Sequence, residues 1–309
     1  MGKADIRVII NPNAKKFRTG RSSIESYRDI KSNLVKIVTP SSPEELRKET
    51  EKMAKERCDY ICIAGGDGTL HLTLSSIINS YKQENIPPIL ILKEGTMDNV
   101  ARTIKLKGRG PQLLRRLVER IENNLEVEVH RRYTMQIDNK FCFLFGTGFV
   151  TNFLNLAYNG KEKGFVRNLQ VASIAMREAL LNIDNGRIFS KAECEIYSDG
   201  KPLNIKSYYG LLAGTVEHIG MGFSPLSDAV VDGKFQVIIS SLKPRTIALN
   251  INKIRTGRAI NNEGYFNFHS SVIKIKQKGR FEYTMDGDIY SAENELVVKI
   301  GPSVNLVKV

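Results

Sequence analysis

The first 125 or so residues repeat one pattern: a short apolar run, a turn, then a stretch with helical signals. The runs are residues 6–10 (IRVII), 34–38 (LVKIV), 60–64 (YICIA) and 88–92 (PILIL). Each is too short for a buried helix and rich in β-branched residues, so each reads as a buried strand. Between them, Ser42 as N-cap, Pro43 at the first position and Glu45 set for a capping box predict a helix over 42–56, burying Leu46 and Met53. Further helices are expected over 70–80, 97–104 and 111–122. Strands separated by helices imply a mainly parallel sheet with helices over its faces.

From about Glu126 the texture changes. Segments 133–137, 141–145, 191–197, 206–212, 235–240, 272–277, 280–284 and 295–300 read as strands, with helical stretches only at 167–181 and 244–254. Such runs suggest an antiparallel sandwich or barrel. The expected architecture is α/β plus mainly β: an N-terminal domain over 1–128 and a β-rich domain over 129–309, with the cleft between them as the default site.

Hydrophobic residues make up 41% of the chain and charged ones 26%, ordinary for a soluble globular protein. The N-terminus has no apolar core of a signal peptide, and no run approaches the roughly 20 residues of a membrane span. Cys58, Cys62, Cys142 and Cys194 show no metal-ligand spacing, so they read as reduced thiols of a cytoplasmic protein. The net charge of +13 comes from loose basic groups at 15–21, 105–120, 161–167 and 274–280. Such a surface attracts polyanions, and an anionic membrane suits it at least as well as nucleic acid. With no Trp and no base-reading motif, nucleic acid is the weaker partner.

The sharpest signal is Gly65-Gly66-Asp67-Gly68-Thr69, directly after the third strand and opening a helix. Glycines let backbone amides approach phosphate oxygens and make positive φ cheap, and a helix N-terminus adds unpaired N–H groups. Asp67 stands where a phosphate-bound Mg²⁺ would sit. Thr69 is placed to cap the helix and bond a phosphate. A plain strand-to-helix turn is the bland alternative. Neither GxxxxGK[ST] nor a complete GxGxxG occurs, which argues against a P-loop or a dinucleotide-binding Rossmann site.

At GGDGT the chain resembles the family of diacylglycerol kinases, bacterial lipid kinases, and sphingosine and ceramide kinases. NAD kinases and 6-phosphofructokinases share that motif alone, but further matches follow in the family's order. They are Asn11-Pro12, Thr39, residues 95–102 (GTMDNVAR), residues 146–149 (GTGF), residues 225–237 (PLSDAVVDGKFQV), residues 285–288 (MDGD) and Gly301-Pro302. The resemblance implies a lipid kinase with an ATP-binding catalytic domain, a lipid-binding second domain, and last strands that return near the first. By position ATP would be contacted by Asn11, Thr39, Gly65, Gly66, Asp67, Gly68, Thr69, Leu70 and Thr96. The second loop adds Asp98 and Asn99. A structural metal, Mg²⁺ or Ca²⁺, would be held by Asp232 with backbone oxygens of Ala229 and Lys234. Asp288 stands where the family has the Glu that accepts the lipid hydroxyl's proton. Asp286 shares a face with it if the segment is extended.

The chain departs from the family at three places. Asp98-Asn99 reverses the usual Asn-Asp order, His71-Leu72 replaces Asn-Glu, and Asp288 is one methylene shorter than Glu. His71 reads either as a ligand contact or as a structural residue. The reaction implied is transfer of the ATP γ-phosphoryl group to a diacylglycerol-like alcohol at an anionic membrane surface, within phospholipid metabolism. A sphingoid base, a ceramide or NAD as acceptor, and a non-catalytic lipid- or nucleotide-binding protein, remain alternatives. A homodimer is compatible with all of them.

Overall fold

The computed structural model describes residues 4–94, 99–159, 165–183 and 186–309. The chain divides into two units, one of Met1–Thr134, Asn139–Phe141 and Pro302–Val309, the other of Met135–Asp138 and Cys142–Gly301.

The first unit contains β1 (Ile6–Ile10), α1 (Lys15–Arg18), α2 (Glu25–Arg28), β2 (Val35–Val38) and α3 (Pro43–Glu56). Then come β3 (Tyr60–Gly65), α4 (Asp67–Ser80), β4 (Ile89–Lys93), α5 (Asn99–Thr103) and α6 (Gly110–Glu122). The strands pair in parallel in the order β2-β1-β3-β4. Every residue of β1 is buried, as a parallel strand covered on both faces requires. Arg7 is buried with it because its guanidinium donates to both Asp5 carboxylate oxygens (2.8 and 2.7 Å) and to Glu56. The start of α3 is as the capping signals require. Ser42 Oγ accepts from the Glu45 amide at 3.1 Å, while Glu45 reaches back to Ser41 rather than to Ser42. Met53 and Thr50 are buried on its inner face; Leu46 is only half-buried.

In chain order there follow β5 (Glu128–Ile137), β6 (Lys140–Cys142), β7 (Leu144–Gly148), α7 (Phe149–Tyr158), α8 (Phe165–Leu180), β8 (Ala192–Glu193), β9 (Glu195–Ser198) and β10 (Lys201–Pro202). The remainder is β11 (Ser207–Tyr208), β12 (Gly210–Gly214), β13 (Phe235–Ser240), α9 (Pro244–Leu249), α10 (Ile251–Arg255), β14 (Tyr265–Ser270), β15 (Val272–Met285) and β16 (Asp288–Lys308). In the second unit the strands run antiparallel in the order β14-β13-β12-β7-β15-β16. The two strands expected over 272–284 are one strand, bent where its register shifts between Lys276 and Arg280. Gly279 sits in that bulge at φ +77°. One core gathers inward residues of these strands, among them Phe145, Phe235, Ile275 and Tyr283. A second lies within the helical layer, around Val171, Phe189, Tyr209 and Ile247.

Five elements were not anticipated, among them the two-residue strand β10. At four residues each, α1 and α2 are too short to show a period, and α7 and β14 have mixed sequences, FVTNFLNLAY and YFNFHS. Conversely, α4 begins three residues before the expected Leu70, because the glycine turn itself enters the helix.

Candidate functional site

In an open parallel sheet, ligands bind beyond the carboxyl ends of the strands, where the strand order reverses direction. From β1 the chain goes to β2 on one side and later to β3 on the other, so the reversal lies between β1 and β3. The register brings Val38, Ile9, Ile63 and Ile91 into one row. Thr39, Asn11, the turn after Gly65 and Glu94 therefore all emerge at the same edge. Thr39 is exposed there.

Gly66 is the N-cap of α4, in extended conformation (φ −94°, ψ −173°) and with no side-chain cap. The first turn of this 14-residue helix thus opens at the sheet edge with no cap from the side chain of its N-cap residue. Neither Gly65, in strand conformation, nor Gly66 uses positive φ; the expectation that these glycines serve conformational freedom is corrected. Gly65 is required by space. A Cβ there would lie 2.3 Å from Thr69 Cβ and 2.6 Å from Thr69 Oγ1. Thr69 is the third helical residue rather than a cap, and its hydroxyl accepts from Asn11 Nδ2 at 2.9 Å. That bond joins the ends of β1 and β3 across the reversal point. Asp67 and Gly68 form the first helical positions, and Leu70 is buried, its amide donating to Gly66 O at 2.9 Å.

Glu94 follows β4 directly and was missed by sequence reasoning. It is 2% exposed. Its amide donates to Gly65 O at 3.1 Å, its Oε1 accepts from Ser22 Oγ at 3.0 Å, and the Tyr27 hydroxyl also donates to it. Gly110 packs so tightly that a Cβ would lie 1.8 Å from the Tyr27 hydroxyl and 2.6 Å from Glu94 Oε1. Burial, then the Glu94 charge, pushes the Tyr27 phenol far above its usual range, so it remains a donor. The available signal was an acid ending the apolar run PILILKE, where a buried carboxylate must find donors.

In the second loop Gly95, Thr96, Met97 and Asp98 lie outside the described residues. Asn99 opens α5 and is buried. His71 is fully buried, its Nδ1 2.8 Å from Phe141 O, and Ser75 Oγ accepts from the Phe141 amide at 2.9 Å. Of the two readings of His71, the structural one fits this position.

In the second unit the MDGD segment is a tight hairpin joining β15 to β16. Asp286 and Gly287 have φ +49° and +99°, the two left-handed positions of a type I′ turn. The extended reading of this segment is therefore corrected. Met285 pairs directly with Asp288, so the Asp288 side chain shares the face of Met285, on which Tyr290 also lies. The Asp286 carboxylate instead accepts from the Leu144 amide at 2.8 Å and the Phe143 amide at 3.1 Å, anchoring the hairpin to β7. Burial, followed by the Asp288 charge, pushes the Tyr290 phenol up to about 12.

The expected metal ligands fall in the turn before β13. Val231 and Lys234 form an isolated bridge, Gly233 has φ +64°, Ala229 is buried, and Asp232 and Lys234 are exposed. One carboxylate with main-chain oxygens is a hard donor set of the kind Mg²⁺ or Ca²⁺ accepts with added waters. No group of three His, Cys, Asp or Glu that could hold a metal occurs among the described residues, so Asp232 would be the main side-chain ligand.

An open α/β sheet with a glycine turn at its reversal point, followed by an antiparallel β-rich unit, is the class these features define. Residues 5–129, less than half of the chain, match the family model described as the diacylglycerol kinase catalytic domain. Among solved structures it is similar to a diacylglycerol kinase from Bacillus anthracis str. Sterne, with a TM-score of 0.67, 13% identity, and 99% of this chain and 97% of that one covered. Two further chains from that organism, each described as a candidate diacylglycerol kinase, give TM-scores of 0.75 and 0.70 at 15% identity. Both cover 99% of this chain, and 96% and 97% of their own. No match was found among curated proteins.

Proposed function

We propose that the protein is an ATP- and Mg²⁺-dependent lipid kinase that phosphorylates the hydroxyl of a diacylglycerol-like lipid. The observation that carries the reading is the Asn11–Thr69 bond over a glycine turn at the reversal point of a parallel sheet. The amides of Gly66, Asp67 and Gly68 hold the nucleotide's phosphates, with Thr69 and Asn11 beside them and Thr39, Leu70, Thr96 and Asn99 completing the contacts. Asp67 and Asp98 are the acids for a phosphate-bound metal; Mg²⁺, when bound, neutralises the charge of the transferring phosphoryl group. Asp288 accepts the proton of the lipid hydroxyl as its oxygen bonds to the γ-phosphorus and the bond to ADP breaks. Asp286 supports the hairpin that carries Asp288. Asp232, with Ala229 and Lys234 oxygens, holds the structural cation. The protein works at an anionic membrane surface from the cytoplasmic side, in phospholipid metabolism. Among the described residues no helix is long and apolar enough to cross a membrane.

The test is incubation of the protein with labelled ATP, Mg²⁺ and a mixed lipid extract, with the labelled product identified by mass spectrometry. A phosphorylated diacylglycerol supports the proposal. A labelled sphingoid base, ceramide or NAD reassigns the acceptor, and ATP binding without turnover on any lipid reduces the protein to a binding module. Asp67→Ala is expected to abolish turnover while leaving the fold intact; undiminished turnover removes Asp67 from the mechanism.

A further inference from the structure

The helical layer of the second unit is apolar on both sides of α8. Val171 and Ala179 face inward to the layer's core. Leu169, Met176 and Leu180 recur at spacings of seven and four, which places them within one stripe about 16 Å long on the opposite face. They are 55%, 36% and 52% exposed, and the stripe continues past the helix end into Leu181 at 61%. On α9, which packs against α8, Leu249 is exposed as well. A soluble surface scatters such residues singly; a row of them marks a contact.

Charge decides what makes that contact. The helices α7 to α10 carry Arg167, Arg177, Arg245, Lys253 and Arg255 against a single acid, Glu178. Glu178 is buried, and its two carboxylate oxygens accept from the Arg187 and Ile188 amides at 3.1 Å each, so it offers no counter-charge at the surface. A second copy of this chain would set arginines against arginines. A stripe of three or four side chains also falls well short of the roughly 800 Å² per partner of a stable dimer. An apolar stripe among basic residues is instead the pattern of a helix lying in the headgroup region of an anionic bilayer.

We propose that the outer face of α8 is the membrane-docking surface, with Leu169, Met176 and Leu180 entering the interfacial region of an anionic bilayer and Arg177 meeting its headgroups. The choice of a bilayer deepens the lipid-kinase reading and rests on it. The docking is nonetheless measurable without catalysis.

The full chain is sedimented with sucrose-loaded vesicles of phosphatidylglycerol and phosphatidylcholine, or of phosphatidylcholine alone. Wild type binds the anionic vesicles only, and Leu169→Asn/Met176→Asn/Leu180→Asn weakens that binding by about tenfold or more at unchanged charge and circular dichroism. Since the chain has no Trp, Leu180→Trp supplies a single reporter that does not depend on the triple variant folding. Its emission shifts to the blue on anionic vesicles and is quenched by brominated lipid. Full binding by the triple variant, or an unshifted Trp on bound vesicles, overturns the proposal. So does a wild-type dimer that the triple variant dissolves, which would give the face to a second copy. With a short-chain diacylglycerol below its aggregation limit as substrate, the triple variant retains wild-type phosphorylation and loses it only on vesicles. If wild type phosphorylates lipid in neither form, the kinase reading fails while the vesicle data still judge the docking face.

Discussion

Replacing Gly65 by alanine tests the glycine turn most directly. The new Cβ would stand 2.3 Å from Thr69 Cβ and 2.4 Å from Thr69 Cγ2. Thr69 Cβ is fixed to the backbone of α4 and no rotamer moves it away. Ordinary contact begins at 3.4 Å, so the helix start and the strand end must part by about an ångström. Overpacking of this kind costs ~1–3 kcal/mol. At roughly 3 °C per kcal/mol the melting temperature of the first unit falls by about 3–9 °C, leaving a folded protein at room temperature. The displacement strikes the amides proposed to hold phosphate, where a 1 Å misplacement can cost about a hundredfold. Titration calorimetry with Mg²⁺–ATP is therefore expected to show affinity falling by far more than the stability loss would suggest. Thr69→Gly in the same chain removes the clashing atom and should restore much of the melting temperature. If Gly65→Ala binds Mg²⁺–ATP as tightly as wild type, the turn is not a phosphate cradle.

Tyr27→Phe removes one donor from the buried Glu94 carboxylate and should cost ~1.5–3 kcal/mol in urea unfolding. Adding Gly110→Ala should cost less in that variant than alone, because the hydroxyl it strikes is gone; simple additivity would count against the packing described. Asp286→Ala leaves the Phe143 and Leu144 amides without their acceptor and should lower stability by ~2–4 kcal/mol, with Asp286→Asn milder. Equal stability would free Asp286 for a chemical role. The hydrogen bond from Arg7 holds the Asp5 carboxyl below its usual range, with Lys36 adding to it. A depressed acid contributes stability above its unfolded pKa and loses it as pH falls through the folded value. Asp5→Asn should therefore destabilise at pH 7, and by progressively less as pH falls through the acid range; a constant difference across that range would refute the ion pair.

Strand and helix order in the first unit were legible because apolar runs of fixed length sit between strong stop signals. The same holds for α3, whose Ser42 cap and Pro43 are local chemistry. The glycine turn was legible as a motif but not as geometry. Sequence cannot show that Gly65 is demanded by a threonine four residues on rather than by its own φ. Glu94 escaped notice because its partners, Ser22 and Tyr27, lie about 70 residues earlier and meet it only once the sheet has formed. In the second unit the Asp286-Gly287 pair has the composition of a tight turn. An extended reading of the segment nevertheless put Asp286 and Asp288 on one face, when the turn assigns them different tasks. The bend of β15 was hidden for a similar reason: a bulge at Gly279 looks like a break until the partner strand is known.

The final eight residues of the chain belong to the first unit, and Leu306 pairs with Ile89 of β4. During synthesis the amino-terminal sheet can gather β1 to β4 early. Its closing partner lies far downstream of β4 in the chain. Until that partner is made the outer side of β4 is an unsatisfied edge, the kind of surface that chaperones cover. β16 is thus a folding checkpoint: a nascent chain that stalls before Leu306, even after every residue proposed for chemistry has been made, carries a first unit that is not yet closed.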